Sequence, residues 1–270
     1  MKVSAWEGKV GRDEGGTLRT TLTMLIHGGP GAGKSRLTNT MPTPRLILDA
    51  EGRAKHLPGK KVWWDPMREA PPELGDWETC VAIVPNTNVL QQAFSWLGSG
   101  QHPFKSVGCD SLMEIQKRTI DETVGMNALQ FQDWGTLLRR LEHLVRQYRD
   151  LTLSPATGVD VVVFTVGTTE RDGKYVPLLQ GQLRDTVPYY FDVVGYLYAT
   201  SDPEINVVTR NLLIQPIGNF IAKDGTDKLT RAYGSVIVSP NIQSMVDTMC
   251  TLNGNGVVVN AEPGQEVGDE

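Results

Sequence analysis

The chain has 270 residues, 40% of them hydrophobic and 21% charged, and a formal net charge of -5; this is enough for one large α/β core or two small ones, in a composition ordinary for a soluble globular chain. The charge balance excludes a wholly basic surface of the kind that coats nucleic acid, while still allowing a local basic groove. The three cysteines, Cys80, Cys109 and Cys250, show no metal-ligand or C-x-x-C spacing, no apolar run reaches bilayer-spanning length, and the N-terminus lacks a signal pattern, so a reduced, cytoplasmic setting without membrane contact is expected.

In chain order, residues 1–20 are polar and glycine-rich and read as an arm or edge strand. Leu22, Met24, Leu25 and Ile26 form a short apolar run expected to be a buried strand. Residues 28–35 read Gly-Gly-Pro-Gly-Ala-Gly-Lys-Ser, with a helix expected from Arg36 onward. Residues 45–49 read as a second core strand. Residues 57–79, rich in proline and holding Trp63, Trp64 and Trp77, predict irregular structure packed by aromatic rings. A helix is expected over 89–97 and a third strand over 105–110. Leu137, Leu138, Leu141, Leu144, Val145 and Tyr148 recur at helical spacing and predict a helix over 135–151. A β-branched run over 159–165 predicts a fourth strand. Residues 167–188 read as a long polar loop, followed by strands near 191–199, 206–215 and 234–238. The alternation predicts an α/β fold, a mainly parallel sheet flanked by helices, as one core over 21–240. Residues 241–270 read as an extension ending in an acidic tail of Glu262, Glu266, Asp269 and Glu270.

The octapeptide at 28–35 matches G-x-x-x-x-G-K-[ST] at every fixed position. Glycines let backbone N–H groups turn inward around an anion, the lysine reaches the β- and γ-phosphates, and the serine hydroxyl can join Mg²⁺. The expected triphosphate contacts are therefore Gly28, Gly29, Pro30, Gly31, Ala32, Gly33, Lys34, Ser35 and, opening the helix, Arg36, with ATP and Mg²⁺ as ligands. Asp110, ending the third strand, is the candidate second metal group beside Ser35, with a capping role as the alternative. Asp49 and Glu51 end the second strand two residues apart and are expected on one side of the chain.

"LILDAEG" at 46–52 resembles the strand-end segment of RecA-type recombinase ATPases. "GCDSL" at 108–112 resembles the Walker B strand of the same superfamily. The segments at 133–151, 173–198 and 221–225 ("IAKDG") are similar to small phage-encoded RecA-like ATPases: the single-strand annealing and recombination ATPases of the Sak class, or phage AAA-type nucleotide-binding proteins. The likeness covers most of residues 20–240 and implies a RecA-like P-loop NTPase core. By it, Glu51 is the catalytic base, Asp49 is structural, and Lys223 and Arg210 reach a neighbouring subunit's γ-phosphate in a homo-oligomeric ring or filament. It also implies that the 167–188 loop, with Arg171, Lys174, Tyr175 and Arg184, holds single-stranded DNA, and that a single-strand binding protein is a candidate partner in a bacterial host cell. Gly167 and Thr168 stand where such proteins carry a polar sensor. The expectation is an Mg²⁺-dependent ATPase acting on single-stranded DNA in recombination or annealing; the alternatives are an ATP-dependent assembly protein acting on another protein and, more remotely, a nucleotide kinase.

Overall fold

A computed structural model describes residues 19–125, 127, 130–202 and 207–254. The elements in order are β1 (Leu22–His27), α1 (Lys34–Thr38), β2 (Arg45–Asp49), β3 (Lys61–Trp63), β4 (Thr79–Ile83), α2 (Thr87–Ser99), β5 (Ser106–Asp110), α3 (Leu112–Val124), α4 (Phe131–Asp150) and β6 (Val161–Val166). They continue through β7 (Thr168–Arg171), β8 (Lys174–Pro177), α5 (Leu183–Thr186), β9 (Val193–Asp202), β10 (Val207–Leu213), β11 (Lys223–Asp224), α6 (Lys228–Tyr233), β12 (Val236–Val238) and α7 (Ile242–Gly254).

The main sheet runs β12-β10-β9-β1-β6-β5-β2-β4-β3, with β11 paired to β9. From β9 to β3 every pairing is parallel, and β10, β11 and β12 are antiparallel. Strands buried on both faces need apolar side chains in both directions, and β1 and β6 supply them. Leu22, Met24, Ile26, Val161 and Val163 enter the core on one face, with Leu37, Met245 and Met249. Leu25, Val162, Phe164 and Val166 enter the other, beneath α2, α3 and α4. Burying a side chain such as Phe164 contributes about 1.5–3 kcal/mol. Tyr148 in α4, also fully buried, keeps its hydroxyl satisfied by donating to Leu90 O at 2.7 Å.

The mainly parallel sheet flanked by helices agrees with the sequence reading; three local expectations do not. Residues 57–79 are not wholly irregular, because β3 and the start of β4 extend the sheet; three residues of β3 carry no readable period. Trp64 is buried there, and Trp64 and Trp77 pack on Phe104 at 5.8 and 6.2 Å, whereas Trp63 is half exposed. Residues 167–188 are not one long loop: β7 and β8 form an antiparallel hairpin whose turn has Asp172 and Gly173 at φ 50° and 72°. Residues beyond 240 are partly core, since Ile242, Met245, Val246 and Met249 of α7 are buried. Residues 1–18 of the polar arm expected over 1–20, and the acidic tail, lie outside the described residues. Among the described residues no helix is long and apolar enough to cross a membrane.

Candidate nucleotide site

Parallel register brings the carboxyl ends of β1, β2, β5 and β6 level: His27 pairs with Val166, and Asp49 with Asp110. A crevice outside the carboxyl ends of such strands is where an open α/β sheet offers its side chains to a ligand. Here it is a cavity of about 570 Å³ lined by Gly28, Lys34, Ser35, Glu51, Asp110 and Arg210, among others.

The loop after β1 requires glycine at two points. Gly33 has φ 100°, and a Cβ on Gly28 would lie 2.3 Å from Leu197 O. Helix α1 is only five residues long and starts at Lys34, two residues before the expected start. The prolines at 42 and 44 forbid its continuation, through a missing donor and a restricted preceding residue. Anion binding must then rest on the loop N–H groups and Lys34 more than on a long helix dipole. Lys34 Nζ donates to Gly28 O at 2.8 Å and Gly29 O at 3.0 Å. Burial lowers its pKa, opposed by the charges of Asp110 and Glu51.

The acids divide by environment. Asp49 is buried and accepts the backbone N–H groups of Glu51, Gly52 and Ala54 at 3.1, 2.8 and 2.8 Å. It fastens the turn that presents Glu51. The strand ends at Asp49, so Glu51 faces the cavity from a bend and not through strand alternation. Ser111 Oγ donates to Glu51 Oε1, and Arg53 Nε lies 3.0 Å from Glu51 Oε2. Asp110 accepts from the hydroxyl of Thr165, and the Ser35 hydroxyl lies close enough to favour its charged form. Burial pushes its carboxyl pKa up, the two hydroxyls oppose this, and the charges of Glu51 and Asp49 add to it. Ser35 and Asp110 are an oxygen-only pair, and the described residues hold no cluster of three or more His, Cys, Asp or Glu that could cage a metal. That fits Mg²⁺, which typically takes one or two protein oxygens and completes its shell from phosphates and water.

Residues 20–226 match the family described as AAA domain. The chain belongs to that family. Membership carries the coarse conclusion that this AAA domain protein is a P-loop ATPase. Among solved structures, a KaiC-like protein of the hyperthermophilic archaeon Pyrococcus horikoshii OT3 matches at 16% identity over 84% of this chain and 93% of its own, with a TM-score of 0.42. An ATPase of the type III secretion system of pathogenic bacteria matches at 13% identity over 69% of this chain and 53% of its own, also with a TM-score of 0.42. No curated protein matches the sequence.

Sequence reasoning missed several residues at the AAA domain's cavity. Arg53 lines it and pairs with Glu51; a basic residue two places after the acid was the available signal. Thr165 orients Asp110 from the neighbouring strand, which no sequence spacing announces. His27, preceding the loop, is buried, with Nε2 at 2.6 Å from Ile221 O and Nδ1 at 2.9 Å from Thr168 Oγ1. A carbonyl only accepts, so Nε2 carries the proton and Nδ1 accepts from Thr168. Thr168 also lines the cavity, at the sensor position flagged in the sequence.

Desolvation lowers the His27 pKa to about 4, with the Ile221 bond opposing and Lys34 reinforcing. The folded pKa lies below the unfolded value of 6.5, so His27 is neutral in both states above 6.5 and costs nothing there. As pH falls from 6.5 to 4 the unfolded chain takes the proton first, and stability drops by about 3 kcal/mol. Urea unfolding between pH 7 and 4.5 should show this loss in the wild type and not in His27→Gln. Equal slopes in the two proteins would mean that His27 titrates normally.

Of the other expected site residues, Arg210 joins the cavity, its side chain lying on Gly33 of its own chain, and the rest lie outside it. Lys223, on β11 beside β9, does not line the cavity; burial lowers its pKa, opposed by Asp192. Arg171 and Lys174 face each other across the exposed hairpin turn, where Arg171 Nε lies 3.5 Å from Asp172. Tyr175 is not free on both faces, because its ring stacks on Phe220 at 4.6 Å and Phe220 stacks on Tyr196 at 4.3 Å. Arg184 sits apart in α5, largely buried, 3.6 Å from Asp185.

Proposed function

We propose that this AAA domain protein is a Mg²⁺-dependent ATP hydrolase acting on single-stranded DNA, in strand annealing or recombination of the phage type. The observation that supports hydrolysis is the convergence of Lys34, Ser35, Asp110 and Glu51 on one cavity. The loop N–H groups and Lys34 hold the phosphates, whose oxygens replace the Gly28 and Gly29 carbonyls as partners of the ammonium. Ser35 and Asp110 would hold Mg²⁺, which supplies charge compensation on the phosphate oxygens. Glu51, steadied by Ser111 and Arg53, orients the attacking water and accepts its proton. Thr165 keeps Asp110 aimed at the cavity, while Leu57, Met113 and Leu178 narrow water access from the side.

The DNA reading draws on the hairpin. Its first residue, Thr168, lines the cavity and bonds His27, so occupancy at the loop and hairpin position share one hydroxyl. At the other end Arg171 and Lys174 offer exposed positive charge, which can neutralise phosphates without reading sequence. Lys223 is assigned a contact with a neighbouring subunit's nucleotide in a homo-oligomer, and a single-strand binding protein is a proposed partner.

The test is ATP turnover with and without single-stranded DNA, together with a salt series of DNA affinity. Single-stranded DNA should stimulate turnover. Charge reversal at Arg171 and Lys174 should weaken DNA binding and reduce the steepness of its salt dependence, by about one unit of slope for each phosphate that is no longer neutralised. Arg184→Glu should do little, since that side chain is 15% exposed and already paired. Turnover indifferent to DNA, with affinity and slope unchanged in the hairpin variants, would transfer the reading to a protein partner, which the acidic Glu170 and Asp172 on the same hairpin would then favour.

A further inference from the structure

Arg210 stands on β10, two strands from β1 and on the side of it away from Asp110 and Glu51. Its side chain crosses back over β9 onto the phosphate loop: a Cβ on Gly33 would meet Arg210 Nε at 2.4 Å and Cδ at 2.7 Å. That Nε is buried and has no hydrogen-bond partner. None of the ion pairs among the described residues includes Arg210. A buried cationic donor without a partner is costly until an anion completes it.

The same side chain borders two cavities. The larger holds Lys34, Asp110 and Glu51, and the smaller, about 230 Å³, lies on the opposite flank of the loop. Gly33, Arg36 and Arg210 line both, so the two spaces adjoin along the start of α1. Leu197, Val208 and Pro240 give the smaller cleft apolar walls. A nucleotide whose terminal phosphate faces Lys34, Asp110 and Glu51 must direct its nucleoside towards that other flank. Apolar walls with two cations, Arg36 and Arg210, at the shared edge suit a flat heterocycle joined to a phosphate.

We propose that Arg210 completes the nucleotide site in cis: its guanidinium ion-pairs with the phosphate nearest the nucleoside, and the base enters the 230 Å³ cleft beyond it. This rests on the assignment of residues 28–35 as the ATP site. A contact at the nucleoside end is the same in the ground and transition states, so it sets affinity and KM while leaving kcat alone. A cation on a neighbour's terminal phosphate would instead set kcat.

Calorimetric titration with Mg²⁺ and ATP, ADP or inorganic tripolyphosphate decides it. Arg210→Ala should lose about 10- to 100-fold in affinity for ATP and ADP alike, the range expected for a charge-assisted hydrogen bond. KM should rise by the same factor with kcat held, and Arg210→Lys should recover part of the loss. Val208→Trp narrows the cleft from a position that is 55% exposed and tolerant of bulk; ATP and ADP should weaken while tripolyphosphate binds as before. ADP affinity unchanged in Arg210→Ala, a fall in kcat at unchanged affinity, or turnover restored by mixing Arg210→Ala with Lys34→Ala subunits would overturn the cis assignment. ATP affinity unchanged in Val208→Trp would overturn the base cleft. Lys34→Ala separates the two levels. If it binds ATP as the wild type does, the ATP site itself is misassigned; if it loses ATP while Arg210→Ala does not, only the role of Arg210 fails.

Discussion

Lys34→Ala is expected to lower ATP affinity by about 100-fold or more, the largest single effect available in the site, because charge-assisted bonds to phosphate are the strong ones. The ammonium is partly buried and now donates to two loop carbonyls. In the wild type it exchanges those neutral acceptors for phosphate oxygens, a gain in charge complementarity that alanine cannot reproduce. Folding should suffer little, since alanine removes only two hydrogen bonds within a glycine loop open to the cavity. Titration calorimetry, with the thermal midpoint as a check on folding, measures both. Wild-type affinity in a folded Lys34→Ala protein would remove residues 28–35 from the nucleotide site.

Glu51→Gln is expected to separate binding from turnover. The amide keeps the shape and can still accept from Ser111, but it cannot take a proton from water. Turnover should therefore fall by about 10²-fold or more while ATP affinity holds. The Arg53 pair goes as well, but Arg53 is 70% exposed and such a pair contributes little to stability. Steady-state hydrolysis beside an ATP titration gives both quantities. If Glu51→Gln kept its turnover and Asp110→Asn alone abolished it, the water would be positioned from Asp110 and the assignment of Glu51 would fall.

How much of this was legible beforehand differs by element. β1, β2 and β6 could be read because strands buried on both faces are rich in consecutive apolar residues, a signal that local sequence carries, while β5, Ser-Val-Gly-Cys-Asp, carries it more weakly. The helix α4 was legible for the parallel reason, its period. The hairpin β7–β8 was not, because each strand is only four residues long, and nothing in the polar, partly exposed Thr-Thr-Glu-Arg of β7 distinguishes it from a loop, although Val176 and Pro177 of β8 are buried. Helix α7 was hidden by reading the chain's acidic end as an extension, although Ile242, Met245 and Met249 already held the spacing of a buried face.

The sequence by itself determined the anion-binding loop, since glycine at φ 100° and a lysine beside it are local requirements met within eight residues. It also determined that acids stand at the ends of β2 and β5. Only the tertiary structure decided what those groups do together. Parallel register sets Asp49 level with Asp110, yet Asp49 turns down onto three backbone N–H groups while Asp110 meets Ser35 and Thr165. The side of the sheet on which Arg210 falls depended on the order of β9 and β10 beside β1, and strand order is set by long-range pairing that no window of sequence contains. Local chemistry therefore named the loop; packing decided that an arginine as distant in the chain as Arg210 lies upon Gly33.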